Sequence, residues 1–180
     1  MTSQTARRRF TEQVLPHLDD AYSLARWLTS SATDAEDVVQ DTCLRALKAL
    51  EGAPVESPRA WLLAIVRNTT FTWLAKNRPH LLVLAGGQEE ALAHQGASEE
   101  LSPPTPEEAL IAKADRDSVA AAIDALPIQF KEALVMREIN GLSYREIAET
   151  IGAPVGTVMS RLARARALMV DKLGARRDQL

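Results

Sequence analysis

A single cysteine, Cys43, in 180 residues rules out an intramolecular disulfide and any metal framework built from paired thiolates, a usage suited to a reducing compartment. Aromatic residues are scarce at 4%. The 8 glycines and 9 prolines gather in a few places instead of recurring as regular turn signals, and with Ala and Leu dominant the composition favours helices. No stretch approaches the roughly 20 apolar residues that a membrane span needs. No apolar run follows the basic opening MTSQTARRRF, so neither a secretory signal nor membrane insertion is expected. Signatures of catalysis are missing as well. There is no Gly-x-x-x-x-Gly-Lys phosphate loop, Gly86-Gly87 has no strand-turn-helix setting, and His17, His80 and His94 are scattered without metal-ligand spacing. The expectation is a chain that is not an enzyme and carries no cofactor.

The formal charge of −3 also argues against a nucleic-acid binder until it is divided along the chain. Residues 1–80 hold ten Lys/Arg against nine Asp/Glu, residues 81–112 none against six, and residues 113–180 eleven against nine. The acidity therefore belongs to one segment. From Val155 onward Arg161, Arg164, Arg166, Lys172, Arg176 and Arg177 face only Asp171 and Asp178, which gives that end a local positive field.

The acidic segment carries a Gly pair and the Pro-rich run SPPTP, and reads as a linker over 81–112, with Leu81–Leu84 able to dock on a neighbour. An acidic strand can occupy a basic channel on a partner, or it can be a merely solvated tether. Helical patterns occupy both sides. Phe10 to about Leu28 is periodic at Val14, Leu18, Ala21 and Ala25, with Pro16 disturbing its start. The stretch TDAEDVVQDTCLRALKAL opens with Thr33 three residues before Glu36, as a capping box does, and buries Cys43 among its apolar positions. Ser57-Pro58 starts a third helix that TTFTWLAKNR continues or follows, ending before Pro79. Trp61 and Trp73, spaced beside leucines, are expected in the core and not as base-stacking platforms. Ala112–Ala125 reads as one amphipathic helix, and LPIQFKEALVMREING as another, opened by Pro127 and closed by Gly141.

Residues 143–166 read SYREIAETIGAPVGTVMSRLARAR. Ser143 and Glu146 form a second capping box, Gly152 suits a left-handed helix end, and Pro154 favours a fresh start. In the second helix Val158, Leu162, Ala165 and Met169 share one apolar face, and Thr157, Ser160, Arg161 and Arg164 are expected opposite, exposed. Two short helices about a tight turn, with hydroxyls and guanidiniums on the second, match a helix-turn-helix whose second helix enters a DNA major groove. A helical hairpin with a solvated basic face has the same spacing, and composition leaves both readings open.

Longer strings separate them. GLSYREIAETIGAPVGTVMSRLARARALM resembles the C-terminal domain of extracytoplasmic-function sigma factors, bacterial initiation factors of RNA polymerase. DAEDVVQDTCLRAL (34–47) with SPRAWLLAIVRNTTFTWL (57–74) resembles the same family's N-terminal domain. The two occur in the family's order with a linker between. The resemblance implies an all-α chain of two small helical domains, 1–80 and 113–180, joined by a flexible acidic linker, the second domain a helix-turn-helix. It implies that Asp37, Gln40 and Asp41 dock on the β′ clamp helices of the polymerase core, with the β flap a further contact. Arg67, Asn68, Thr69, Thr72 and Lys76 fall where the family reads the melted minus-ten element, with Arg78 nearby as a possible phosphate holder, and Thr157, Ser160, Arg161 and Arg164 where it reads the minus-thirty-five element. An anti-sigma partner, a cytoplasmic location and a monomeric free state follow as expectations, and no further sensing domain is expected after the helix-turn-helix. Two features depart from the family pattern. Met159 stands where Lys or Arg is usual, and only KNRPH follows the minus-ten helix where a denser basic run is common. Two other readings remain: a stand-alone helix-turn-helix regulator that binds duplex DNA without polymerase, and a sigma mimic that sequesters an anti-sigma protein.

Overall fold

The computed structural model describes residues 2–52, 55–83 and 106–177, and every described element is helical. Helix α1 (Thr2–Gln13) leads through a single 3₁₀ turn at Leu15–His17 into α2 (Leu18–Thr29). Pro16, lacking an amide hydrogen, splits what periodicity presents as one helix. Ser30 ends α2 in the left-handed conformation at φ 56°, and the extended Ser31 caps α3 (Ala32–Ala49) by accepting from the Asp34 amide at 3.3 Å. The cap therefore lies two residues before the expected Thr33. Helix α4 (Pro58–Asn77) runs unbroken through its threonines, because the Thr70 and Thr72 hydroxyls donate back to the Val66 and Asn68 carbonyls at 2.8 and 2.9 Å instead of competing with the helix ladder.

A short helix α5 (His80–Val83) follows, with Leu81 and Leu82 half-buried against the core, so the expected docking is seen for those two residues. The middle of the acidic segment, 84–105, lies outside the described residues. Helix α6 (Pro106–Asp124) begins six residues before the expected Ala112. Then come α7 (Ile128–Leu134), a π turn over Val135–Ile139, α8 (Tyr144–Ile151) and α9 (Val155–Arg177). In the π turn the Asn140 amide donates to the Val135 carbonyl five residues back, at 3.0 Å. The extra residue shifts the helical phase, and Asn140 comes to rest 2% exposed instead of facing solvent.

The N-terminal half packs α2, α3 and α4 through Leu24, Leu28, Val38, Leu62, Leu63, Val66 and Leu74, all essentially buried. Trp61 and Trp73 are half-buried against this core, as expected. The C-terminal half packs α7, α8 and α9 through Phe130, Met136, Ile147, Val158 and Leu162. The two clusters are continuous, since α2 lies on α7 and α4 on α8. Burying an apolar side chain of this size is worth about 1.5–3 kcal/mol, so the contact between halves is part of the core.

Candidate nucleic-acid interface

The α8-turn-α9 unit is fixed at each joint by local chemistry. The Ser143 hydroxyl accepts from the Glu146 amide at 3.2 Å, and the Glu146 carboxylate accepts from the Ser143 amide at 2.8 Å. The Ser143 backbone amide first, and then the Ser143 side chain, hold the Glu146 carboxyl below its ordinary range. Gly152 closes α8 at φ 68°, ψ 38°. A Cβ there would meet no neighbour within 4 Å, so glycine is required by the backbone conformation and not by crowding. Val158, Leu162 and Ala165 seat α9 on the core, with Met169 half-buried beside them. Outward, α9 presents Val155, Gly156, Met159 (54% exposed) and Arg164, while Thr157 and Ser160 are half-buried and the Ser160 hydroxyl donates to the Thr157 carbonyl at 3.0 Å.

Arg161 departs from the expected placement. Its side chain is 19% exposed and its Nη1 donates to Glu132 at 3.2 Å, inside the fold. Arg161 lies three residues after Val158 and four before Ala165, which puts it on the buried stripe of α9 and not opposite to it. The open face of the helix is therefore Val155, Gly156, Met159 and Arg164 more than the expected set.

On α4, Asn68, Thr72 and Lys76 are exposed along one side. Thr69 is 3% exposed, and its hydroxyl has no hydrogen-bond partner among the described residues. It follows Leu62 and Val66 at helical spacing and faces the core, so its placement too differs from expectation. Arg67 is drawn across to the other half: Nε donates to Glu132 Oε2 at 2.7 Å and Nη2 to Oε1 at 3.3 Å, with the guanidinium 4.1 Å from the centroid of Phe71. Arg78 ties α4 to the start of α3, donating to the Thr29 carbonyl at 3.0 Å and to Asp34 at 2.9 Å. On α3, Asp37 and Gln40 are exposed and Asp41 is half-exposed, accepting from Arg45 at 2.9 Å, with Leu44 beside them at 62% exposure. Cys43 is half-buried, and burial pushes its thiol pKa up.

Among the described residues, polar contacts join the halves in three clusters, and sequence reasoning found none of them. Glu132, 1% exposed, receives both Arg67 and Arg161. Arg59 donates to Asp20 at 2.7 Å and to the Asn140 carbonyl, while Asn140 donates its side-chain amide to the Asp20 carbonyl at 3.2 Å. Ser30 donates to Asp124 at 2.7 Å, next to Lys131, whose ammonium lies 3.5 Å from the same carboxylate. Burial lowers the Lys131 pKa, an effect that Asp124 opposes. The Arg59 hydrogen bond holds the Asp20 carboxyl below the usual range. A signal for Glu132 existed: it lies four residues after Ile128 and three before Val135, a charge on an apolar helix face.

No group of three or more His, Cys, Asp or Glu suited to a metal occurs among the described residues. No described helix is long and apolar enough to cross a membrane.

Comparison with known proteins places this geometry. The family description Sigma-70 region 2 matches residues 14–80, and Sigma-70, region 4 matches residues 116–169. The chain is 32% identical over 170 residues to the ECF RNA polymerase sigma factor SigE of Mycolicibacterium smegmatis, covering 94% of this chain and 63% of that protein. It is 35% identical over 143 residues to the ECF RNA polymerase sigma-E factor of Escherichia coli K12, covering 78% of this chain and 74% of that protein. Among solved structures, the sigma factor RpoE in complex with the anti-sigma factor NepR from Bartonella quintana aligns with a TM-score of 0.66 at 26% identity, over 92% of this chain and 96% of that one. CnrH in complex with the cytosolic domain of CnrY aligns with a TM-score of 0.66 at 27% identity, over 97% and 95%.

Proposed function

The chain belongs to the extracytoplasmic-function RNA polymerase sigma factors, and from that premise we propose that it binds the polymerase core and directs initiation at promoters carrying two recognised elements. Residues 1–80 carry the domain that docks on core and reads the minus-ten element, and 113–180 the domain that reads the minus-thirty-five element, with α6 beginning ahead of the latter at Pro106. The observation that carries this reading is the presence, in one chain, of an exposed acidic and amide face on α3 with Leu44 beside it, and of a fully capped helix-turn-helix. Asp37, Gln40 and Asp41 supply acceptors for basic groups on the β′ clamp helices. Asn68, Thr72 and Lys76 line the side of α4 offered to single-stranded DNA, the amide to a base edge and the ammonium to phosphate. Arg164, on the open face of α9, is the guanidinium placed to grip a guanine or a phosphate in the major groove.

The protein performs no chemistry of its own, since nucleotide addition belongs to the polymerase, and it works in the cytoplasm where that enzyme is. Its modest net charge fits a subunit that borrows DNA affinity from its partner. The two solved neighbours named above are each in complex with a partner, RpoE with the anti-sigma factor NepR and CnrH with the cytosolic domain of CnrY, which supports control of this chain by an anti-sigma factor. The test is run-off transcription with purified bacterial core on genomic promoter fragments. Transcripts with defined starts that need this protein are expected; core binding without transcripts would indicate a mimic, and neither would indicate a stand-alone regulator.

A further inference from the structure

We infer that Met159 is a base-reading residue of α9, and that it packs on the C5-methyl group of a thymine in the upstream element, where the family pattern has a Lys or Arg. The inference rests on the sigma-factor reading above and names one base contact within it.

The position comes first. Helix α9 starts at Val155, directly after the turn made by Gly152 and Pro154, and in a helix-turn-helix the N-terminal residues of the second helix are the ones that meet base edges. Val155 at the first position is 41% exposed, and Met159, one turn further, is 54% exposed. Being four residues apart, the two stand one above the other on a single edge of the helix. Arg164 follows Met159 by five residues, about 140° around the axis, and holds the opposite edge of the open arc. Between the edges lie Gly156, Ser160 and Ala163, side chains short enough for a base pair to come close to the helix. Arg166 shares the Met159 side but is engaged by Glu138 at 2.8 Å. One edge of the reading face is therefore cationic and the other apolar.

The chemistry of the groove selects what the apolar edge meets. A thioether has no hydrogen to donate and accepts only weakly, so Met159 can neither hold a phosphate as Lys does nor satisfy N7 and O6 of guanine, which need donors. Set against a guanine it would leave those acceptors dry and unpaired, at a cost. The apolar group that an unmodified base edge offers in the major groove is the thymine methyl; 5-methylcytosine carries the same group in modified DNA. Methionine is unbranched and polarizable and adapts to such a contact, which also takes part of the Val155 and Met159 surface out of water. Met159 and Arg164 flank one arc, so the occupant of the apolar edge is the same duplex that Arg164 meets.

The experiment uses the full-length chain with purified bacterial core on a promoter it initiates from, the upstream element being synthesised with deoxyuridine in place of each thymine in turn. Uracil differs from thymine only by the methyl. At one position the wild type is expected to lose about fourfold in initiation, the worth of one buried methyl-sized group, while Met159→Ala starts weaker on thymine and loses nothing further there. Met159→Leu is expected to keep the sensitivity, and Met159→Lys to abolish it while steepening the salt dependence through a new phosphate contact. Met159 is largely exposed, so these variants fold, and unchanged core binding checks that they do. No thymine at which uracil weakens the wild type, or equal weakening in Met159→Ala at every such position, would overturn the inference. Cytosines replaced by 5-methylcytosine form the second arm: a gain there with no effect of uracil would assign the methyl to a modified base and overturn the thymine contact. A wild type that binds core yet initiates from no promoter would sink the sigma-factor reading itself, an outcome that the all-thymine control separates from loss of the methyl contact alone.

Discussion

Glu132→Gln removes the charge that two guanidiniums share and leaves the shape almost unchanged. The carboxylate is 1% exposed, and the side chains of Arg67 and Arg161 are 20% and 19% exposed. Without it the two guanidiniums meet around a neutral amide in a largely buried site. Breaking one side of a buried ion pair costs about 3–5 kcal/mol, and the residual exposure of both arginines places the expected loss near the low end, about 3 kcal/mol. In urea, with a slope of about 2 kcal/mol per molar for a chain of this size, the midpoint falls by about 1.5 M. The charges, and not the contacts, are at stake at this site. The triple replacement Glu132→Leu, Arg67→Met, Arg161→Met should therefore recover most of the loss. A midpoint shift below about 0.3 M for Glu132→Gln, or a triple variant no more stable than the single, would refute the view that Glu132 neutralises two buried arginines.

Gly152→Ala is expected to destabilise the C-terminal half by about 1 kcal/mol, purely through the left-handed backbone, since no atom lies within 4 Å of the added Cβ; equal stability by thermal unfolding would contradict the assigned conformation. Asp20 has a folded-state pKa lowered chiefly by Arg59, so its contribution is complete above the unfolded value of about 4 and is lost as pH falls through the lower folded value. Asp20→Asn should consequently flatten the acid limb of a stability-against-pH curve and lower the plateau at neutral pH, and an unchanged acid limb would remove Asp20 from the interface. Gln40→Ala with Asp41→Ala should weaken binding to core polymerase in a titration of labelled protein, whereas unchanged affinity would move the docking face elsewhere. Arg164→Ala should reduce discrimination at one upstream base by about 1–3 kcal/mol if it reads guanine; a uniform loss across upstream sequences would show a phosphate contact.

What could be read from the sequence is what depends on neighbours along the chain. Pro58 at a helix start, the Ser143–Glu146 box and the Gly152 stop each satisfy or release backbone groups within a few residues, and all three stand as expected. The family strings reached further, to two helical domains and their roles. Local reasoning misjudged Thr33 because Ser31, two residues earlier, was free to cap once Ser30 had turned left-handed. It misjudged the uniformity of LPIQFKEALVMREING because a π turn is not written in apolar spacing.

The sequence by itself determined the helical class, the Ser143 and Gly152 ends of α8 and the basic end, since each follows from periodicity and charge within a segment. Only the tertiary structure decided which way the charges face. Arg67 and Arg161, 94 positions apart in the chain, look alike in sequence to the exposed Arg164, yet both end on Glu132. A buried carboxylate is tolerable only with cations around it, and which cations those are depends on how α4 and α9 pack around α7, a relation between halves that no local pattern encodes.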